Sequence, residues 1–485
     1  MKYLIGLSVA IYISYCFLTN QPLLSNRLPT YDGPYNVGAI DIEVPSESPR
    51  NFSDAILAET GETAFRLDTI LFTVFYPVSQ PASRSPTTRQ GRRHLWVPRP
   101  IDLHAEGYAR FASISNFFTN KLFAGGLWAI VGGTEIPAGV DAPLQGSGRS
   151  SVGLTERYGS QAQLILEDEE QDELSKFPVL VFSHGMASMR TSYTHYLASL
   201  ASRGYVVAAV EHRDGSGPGS IVIGSDGTEK KVFHAPRKSI DPVPEVEDLK
   251  KNQLGLRQAE VEETVKVLDR INRGHGASVY EDNLRGEGLS LVDWKGRLDM
   301  DQIVVGGHSY GATLAMQALK GAPNVERPFK GGIILDPGKS SGPLNGDIDV
   351  PIVVIHSQSW SKKHSLFYGR PHFSTVKEIV QNILAGGNDS WFMTARGTAH
   401  TSVTDAPLIE PTLLSWTTGS TIDAWEGVMQ YVSVSDQFFQ FLGDGRPTGI
   451  LNLGVTHPEY DQGEIVPPAE GLGMHWQIHV SPVQE

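Results

Sequence analysis

The chain has 485 residues, 19% of them charged and 40% hydrophobic, a globular composition rather than a disordered or fibrous one. A net charge of -14 argues against nucleic acid as a partner, and a single cysteine, Cys16, excludes an intramolecular disulfide. This length suits two or three average domains or one α/β domain with insertions, and the segments that read as inserted favour the second.

Lys2 precedes a mostly apolar run from Tyr3 to Leu18, short for a membrane span, so residues 1–20 read as a signal peptide or an N-terminal membrane anchor. The sequons Asn51-Phe-Ser and Asn388-Asp-Ser suit a secretory route. Gly33 to Val44 reads as a strand and Thr69 to Tyr76 as a second, a leading hairpin or meander. Residues 79 to 94 are polar loop, and the basic cluster Arg84 to Arg93 is too short and too rich in Ser, Thr and Pro to be a nucleic-acid face. From Tyr108 to Gly133 the chain carries Phe111, Phe117, Phe118, Leu122, Phe123, Leu127 and Trp128. Core or lid packing is the first reading of that stretch; a surface that meets lipid or lines an acyl pocket is the second. Residues 144–176, ending in the acidic run Glu167 to Glu173, read as an exposed insertion.

At Phe177 the pattern becomes α/β. Phe177 to Phe182 is a strand, Tyr193 to Ser202 a helix closed by Gly204, and Tyr205 to Val210 a strand, a βαβ unit that implies parallel pairing. Residues 214–244 are a polar excursion off the sheet, followed by a long helix with Leu254, Val261, Val265, Leu268 and Ile271 near one face, stopped by Gly274. Next comes Ile303-Val304-Val305, then Gly307-His-Ser-Tyr-Gly311, then Ala312, Leu314, Ala315, Ala318 and Leu319 at helical spacing. Strand, tight turn and helix in that order push the Ser309 hydroxyl out at a sheet end with a helix N-terminus beneath it, the setting of a nucleophile. A second match, Gly338-Lys-Ser-Ser-Gly342, runs into Pro343 and has no helix after it. Strands follow at Gly332 to Leu335, Val350 to Ile355 and around Trp391 to Ala395, and a last helix at Trp425 to Leu442. The tail, residues 444–485, is rich in Pro and Gly and is expected to be irregular and dispensable for chemistry.

A serine hydroxyl needs a base and a group to orient that base, and in such sheets both sit at the C-terminal ends of strands. Asp336 directly follows Gly332 to Leu335, whereas the strand ending at Ile355 is followed by His356-Ser-Gln-Ser-Trp360 with no carboxylate, so Asp336 is the acid by elimination. Asp405 is the alternative. His400 follows the final strand and completes the order Ser, acid, His, with His356 placed as a pocket neighbour rather than the base. The Tyr310 amide and, in the loop Ser183-His184-Gly185-Met186, the Met186 amide are the donors for an oxyanion. His184, Gly185, His356, Trp360 and Thr401 are the candidate substrate-pocket residues. No HExxH, EF-hand or Walker pattern occurs, so no metal or organic cofactor is expected.

Gly33-Pro-Tyr-Asn-Val-Gly38, Leu180-Val-Phe-Ser-His-Gly185, Tyr205 to Asp214, Gly307 to Gly311, Leu335-Asp336 and Arg396-Gly-Thr-Ala-His400 together resemble the platelet-activating factor acetylhydrolase family, the calcium-independent group VII type of phospholipase A2. The resemblance covers roughly residues 31–443. It implies an α/β-hydrolase fold, a mostly parallel central sheet with helices on both faces; the loop insertions at about 144–176 and 214–244 and the tail after Gly443 depart from the family pattern, which bears on substrate choice and not on reaction type. It implies Ser309, Asp336 and His400 as the triad, and Met186 and Tyr310 as oxyanion amides. It also implies cleavage of acetyl or oxidised, truncated sn-2 acyl groups from glycerophospholipids, with a phospholipid or short-chain ester as substrate and contact with a lipid or membrane surface. A general secreted esterase, lipase or polyester hydrolase shares the triad, and a non-catalytic hydrolase-fold binding protein is the alternative of another class.

Overall fold

In the computed structural model, which describes residues 2–19, 21–78, 92–146, 175–362, 365–460 and 472–483, the two leading strand segments form an antiparallel pair, β1 (Asn36–Asn51) and β2 (Arg66–Val78). The second runs past both of its sequence-predicted ends and the first past its C-terminal one, where Glu47 to Asn51 are exposed; from Val37 to Val44 the pair is covered on both faces. Ile40, Ile42 and Val44 enter one core cluster, while Val37 and Ala39 enter the other. The other strands of the central sheet are β3 (Gly139–Val140), β4 (Phe177–Ser183), β5 (Val206–Glu211), β6 (Leu298–His308), β7 (Gly331–Leu335), β8 (Ile352–Ser357), β9 (Ser390–Ala395) and β10 (Trp476–Val480). They form one ten-stranded sheet in the order β10-β9-β8-β7-β6-β4-β5-β2-β1-β3. From β5 through β4 to β9 every neighbour is parallel; β2 and β10 join that block antiparallel.

Parallel neighbours need crossovers, and helices supply most of them. In chain order the main helices are α1 (Lys2–Thr19), α2 (Ile101–Phe111), α3 (Phe117–Val131), α4 (Thr194–Ala201), α5 (Val246–Arg270), α6 (Tyr310–Ala318), α7 (His372–Ala385) and α8 (Ala424–Asp444), of which α4 to α7 make the parallel crossovers. Leu197 and Leu200 of α4 and Val432 and Phe439 of α8 pack on one face of the sheet; Leu256 and Val261 of α5, Leu314 of α6 and Val376 of α7 pack on the other. This is the α/β-hydrolase arrangement with helices on both faces.

The chain departs from its sequence reading in three places. Residues 444–485 are not irregular throughout: Trp476, Ile478 and Val480 are buried on β10, which pairs with β9. Five alternating residues beyond a Pro- and Gly-rich stretch were too short a signal to read. The aromatic stretch after Tyr108 is two helices, and α3 starts with a capping box in which the Asn116 side chain accepts from the Phe118 and Thr119 amides. Its outer face does not pack, leaving Phe117, Phe118 and Leu122 exposed by 72%, 81% and 73%. The excursion at 214–244 does leave the sheet, as an antiparallel hairpin of Gly219–Ile223 and Glu229–Phe233, but its first residues are buried rather than solvated. The inserted character expected of 144–176 and the loop expected at 79–94 fall largely outside the described residues. Among the described residues no helix is long and apolar enough to cross a membrane.

Candidate active site

β6 ends at His308 and α6 begins at Tyr310, so Ser309 alone makes the turn, with φ 56° and ψ −114°. A non-glycine residue held there stores on the order of 1–3 kcal/mol, which the surrounding contacts must supply. Two glycines make the turn possible. A Cβ on Gly307 would stand 2.2 Å from the Gly311 carbonyl oxygen, and one on Gly311 would stand 2.0 Å from that of Ser183. His308 lies opposite Leu335 in the ladder, and the Ser309 amide donates to the Leu335 carbonyl at 2.9 Å. Ser309 therefore emerges at the same level as Asp336, one strand away.

Asp336 follows β7 with φ 47°, its amide donating to the Ile355 carbonyl at 2.8 Å. Its carboxylate accepts from the Ser357 amide at 2.6 Å and the Ser357 hydroxyl at 2.7 Å, and its Oδ2 lies 2.8 Å from His400 Nδ1. His400 sits on the loop after β9, its amide donating to Ser359 Oγ at 2.9 Å and its ring stacked on Trp360 at 3.9 Å and 9°. The same ring is 4.4 Å from that of His308, the residue before Ser309. With Nδ1–H held by Asp336, Nε2 is the ring atom left to accept a proton. An oriented imidazole of this kind can take the proton of a neighbouring hydroxyl and remain beside a carboxylate once charged. His308 itself is kept neutral: burial, and then the nearby His400, hold its pKa well below the ordinary value. His308, Asp336 and His400 each offer a ligand atom within 4.8 Å of the others, but two of those atoms already face each other across the hydrogen bond just described.

The loop after β4 faces this pair. Gly185 is so close that a Cβ on it would stand 3.2 Å from Ser309 Cβ. Among the described residues neither the Met186 nor the Tyr310 amide donates to another protein group, which leaves both available to an oxyanion. The loop is fixed from below by a network with no sequence signature. The Ala187 amide donates to the Ser216 carbonyl at 2.9 Å, and Arg257 donates to the His184 carbonyl at 2.8 Å and pairs with Asp214 at 2.7 Å. His184 accepts from the His212 amide at 3.1 Å. His212 lies 2.7 Å from Ser183 Oγ through Nε2 and 2.6 Å from Glu260 through Nδ1, all three buried. Burial, then the charge of Arg257, hold the His212 pKa well below its usual value, and burial, then Asp214, push Glu260 up to about 8.

Of the residues named for the pocket wall, Gly185 and Trp360 come to Ser309 and His400, and Thr401 is half-buried beside His400. His184 and His356 do not line it. His184 is buried under the loop, where Nδ1 meets the Gly185 carbonyl at 2.8 Å. His356 is fully buried between His372 and Phe392 and lies 3.2 Å from Ser361. The alternative acid Asp405 is buried elsewhere. It accepts from the Thr194 and His195 amides, each at 2.8 Å, at the start of α4, and from Trp96 Nε1 at 2.8 Å.

Comparison with known proteins adds the following. Residues 150–444 match the family described as platelet-activating factor acetylhydrolase, isoform II. The chain is 30% identical over 164 residues to a platelet-activating factor acetylhydrolase of Canis lupus familiaris, a match covering 33% of this chain and 35% of that protein. It is 26% identical over 243 residues to one of Gallus gallus, covering 47% of this chain and 53% of that protein. The match therefore spans about a third to a half of these relatives' own length. Among solved structures, a ferulic acid esterase from Streptomyces cinnamoneus aligns with a TM-score of 0.53 at 18% identity, over 89% of this chain and 97% of that one, a likeness of fold.

Proposed function

Because the chain belongs to the platelet-activating factor acetylhydrolase family, we propose that it is a serine esterase whose nucleophile is Ser309, whose base is His400 and whose orienting acid is Asp336. The observation that carries this reading is the 2.8 Å contact between Asp336 and His400 beside a serine held in a strained turn. His400 Nε2 takes the Ser309 proton as Oγ attacks the ester carbonyl. The Met186 and Tyr310 amides donate to the resulting oxyanion, each worth about a hundredfold to a thousandfold in rate. Collapse returns that proton to the departing alkoxide and leaves an acyl-serine. Water, deprotonated by the same imidazole, then releases the acid.

The finer reading is 1-alkyl-2-acetylglycerophosphocholine esterase activity, with short or oxidised sn-2 acyl groups leaving as acids. It is supported by the names of the relatives and by the exposed apolar face of α3, a surface suited to lipid. A secretory route, with residues 1–20 as signal or anchor, belongs to the same reading.

Ser309→Ala is expected to abolish p-nitrophenyl acetate turnover in a chain that still folds, and a fluorophosphonate is expected to label the parent at Ser309. Turnover near the parent rate in the alanine chain overturns the assignment, and absence of labelling moves the protein to a non-catalytic binding role. Faster cleavage of long-chain triglyceride than of acetyl-glycerophosphocholine lipid overturns the phospholipid reading alone.

A further inference from the structure

A groove of about 740 Å³ opens between the first turns of α5, the loop just after Asp336 and the hairpin at 366–371. That volume is in the range that takes a small organic ligand. Lys250 enters it from α5 and Lys339 from the loop, while Leu254, Phe367 and Tyr368 give it an apolar wall. Lys339 is one side chain removed from His400, and Lys250 lies against the residue that follows Ser309. The Lys250 ammonium lies 4.7 Å from the ring of Tyr310, the residue after Ser309. Lys339 lies 4.5 Å from the ring of Trp360 and donates to its carbonyl at 2.6 Å, and that ring stacks on His400.

Lys250 is the telling residue. It is half-buried, yet among the described residues no carboxylate lies within ion-pair distance of it; a tyrosine ring is what its cation faces. Asp214, the acid whose charge acts on it, is already committed to Arg257 at 2.7 Å. Burial accordingly draws the lysine's pKa down, the mark of a cation held away from water without a compensating anion. Glu247 and Asp248 also border the groove, but both are exposed to solvent in the first turn of α5, and with Lys251 the groove holds three lysines against these two acids.

We propose that this groove is a substrate subsite in which Lys250 and Lys339 receive an anionic oxygen group, a phosphate or a carboxylate, carried by an amphiphilic ester whose aliphatic part lies on Leu254, Phe367 and Tyr368. The proposal rests on the esterase reading for its meaning. Two parts of a phospholipid ester bear such a group: the head-group phosphate and a carboxylate ending a truncated acyl chain.

The test is equilibrium binding to the full-length Ser309→Ala chain, measured by calorimetry with monododecyl phosphate, dodecanoate and uncharged dodecyl maltoside, each below its micelle concentration. Lys250→Glu is expected to weaken at least one of the anionic ligands by about tenfold or more, the scale of a lost charge-assisted hydrogen bond. Lys250→Arg is expected to stay within about threefold of the parent because it keeps the positive charge, and maltoside binding to Lys250→Glu to change by less than about twofold because that ligand has no charge for the lysine to meet. A loss confined to dodecyl phosphate assigns the subsite to the head group, and one confined to dodecanoate assigns it to the acyl end. Unchanged binding of both anions, or an equal loss for maltoside, overturns the proposal; Lys250→Gln replaces the glutamate variant if that chain does not fold. Because the ligands are not turned over, this result stands apart from the p-nitrophenyl acetate result that decides the esterase reading.

Discussion

Replacing Asp336 by asparagine tests whether that side chain orients His400 or merely packs beside it. The carboxylate accepts from the Ser357 amide, the Ser357 hydroxyl and His400 Nδ1 at once. An amide has one accepting oxygen, and the Ser357 amide claims it, so its NH₂ turns toward the imidazole. Nδ1 must then accept, the ring proton moves to Nε2, and the atom that should take the Ser309 proton no longer can. The expected loss in kcat is about 10⁴-fold, or about 5.5 kcal/mol at 1.36 kcal/mol per decade. Stability should fall by less, about 1.5–3 kcal/mol for one charge-assisted hydrogen bond. The assay is steady-state p-nitrophenyl acetate hydrolysis beside a urea titration, with Asp405→Asn as the comparison. Asp405 caps α4 and accepts from the Thr194 and His195 amides and Trp96, so its loss should lower the urea midpoint while the folded fraction keeps kcat within about tenfold. An Asp336→Asn chain retaining more than about a tenth of parental kcat, or an Asp405→Asn chain losing as much, would refute the assignment.

Gly311→Ala forces a Cβ to within 2.0 Å of the Ser183 carbonyl oxygen, so the strand end and the turn must separate. Melting and kcat should both suffer, by about 3 kcal/mol or more in stability, and a variant melting within about 1 °C of the parent would show the turn to be looser than described here. Deleting residues 472–485 removes buried Trp476, Ile478 and Val480 and bares the edge of β9; roughly 5 kcal/mol should be lost, read as a shifted urea midpoint, and an unmoved midpoint would show that β10 adds nothing to the stability of the sheet. His104, His184, His195 and His479 have pKa values pushed down to about 4, in each case chiefly by burial. Below pH 6.5 the unfolded chain takes up protons that these folded histidines refuse, so stability falls as pH drops toward 4, by on the order of 2 kcal/mol per histidine at pH 5. His94, held up at about 9 against its burial by Asp41 and Glu287, adds stability as pH falls toward 6.5 and offsets only about 1 kcal/mol of that loss between pH 7.5 and 5. Equal urea midpoints at pH 7.5 and 5 would contradict this.

The α/β core was legible because the buried parallel strands are short continuous apolar runs, several rich in β-branched residues, as in Ile303 to Val305 and Val206 to Val210. Ser309, Asp336 and His400, the proposed nucleophile, acid and base, could be named from the sequence because strand ends are where chemistry sits and each follows a buried strand. His184 and His356 misled for the same reason. They too stand at strand ends, and only burial separates a residue that faces the site from one that supports it. The groove at Lys250 was hidden because its walls come from α5, the loop after β7 and the hairpin after β8, which no local pattern relates. The cap at Asn116 was there to be read, since Asn three positions before Thr119 opens the apolar run of α3.

The chain holds two serine–histidine–carboxylate arrangements, and comparing them shows what hydrogen-bond geometry leaves out. Ser183, His212 and Glu260 are joined at 2.7 Å and 2.6 Å, no longer than the 2.8 Å between His400 and Asp336. Ser183, however, is the last residue of a paired strand and is fully buried, whereas Ser309 is half-buried in a positive-φ turn beside two unengaged amides. Burial, then the charge of Asp214, raise the Glu260 pKa, and burial, then the charge of Arg257, lower that of His212, so both groups are biased toward their neutral forms. The Ser183 set is thus a neutral brace for the oxyanion loop. Peptide mapping after fluorophosphonate treatment should find the adduct on Ser309 and none on Ser183. Modification of Ser183 in the folded chain would mean that exposure and backbone strain do not select the nucleophile, and the case for Ser309 would lose its physical basis.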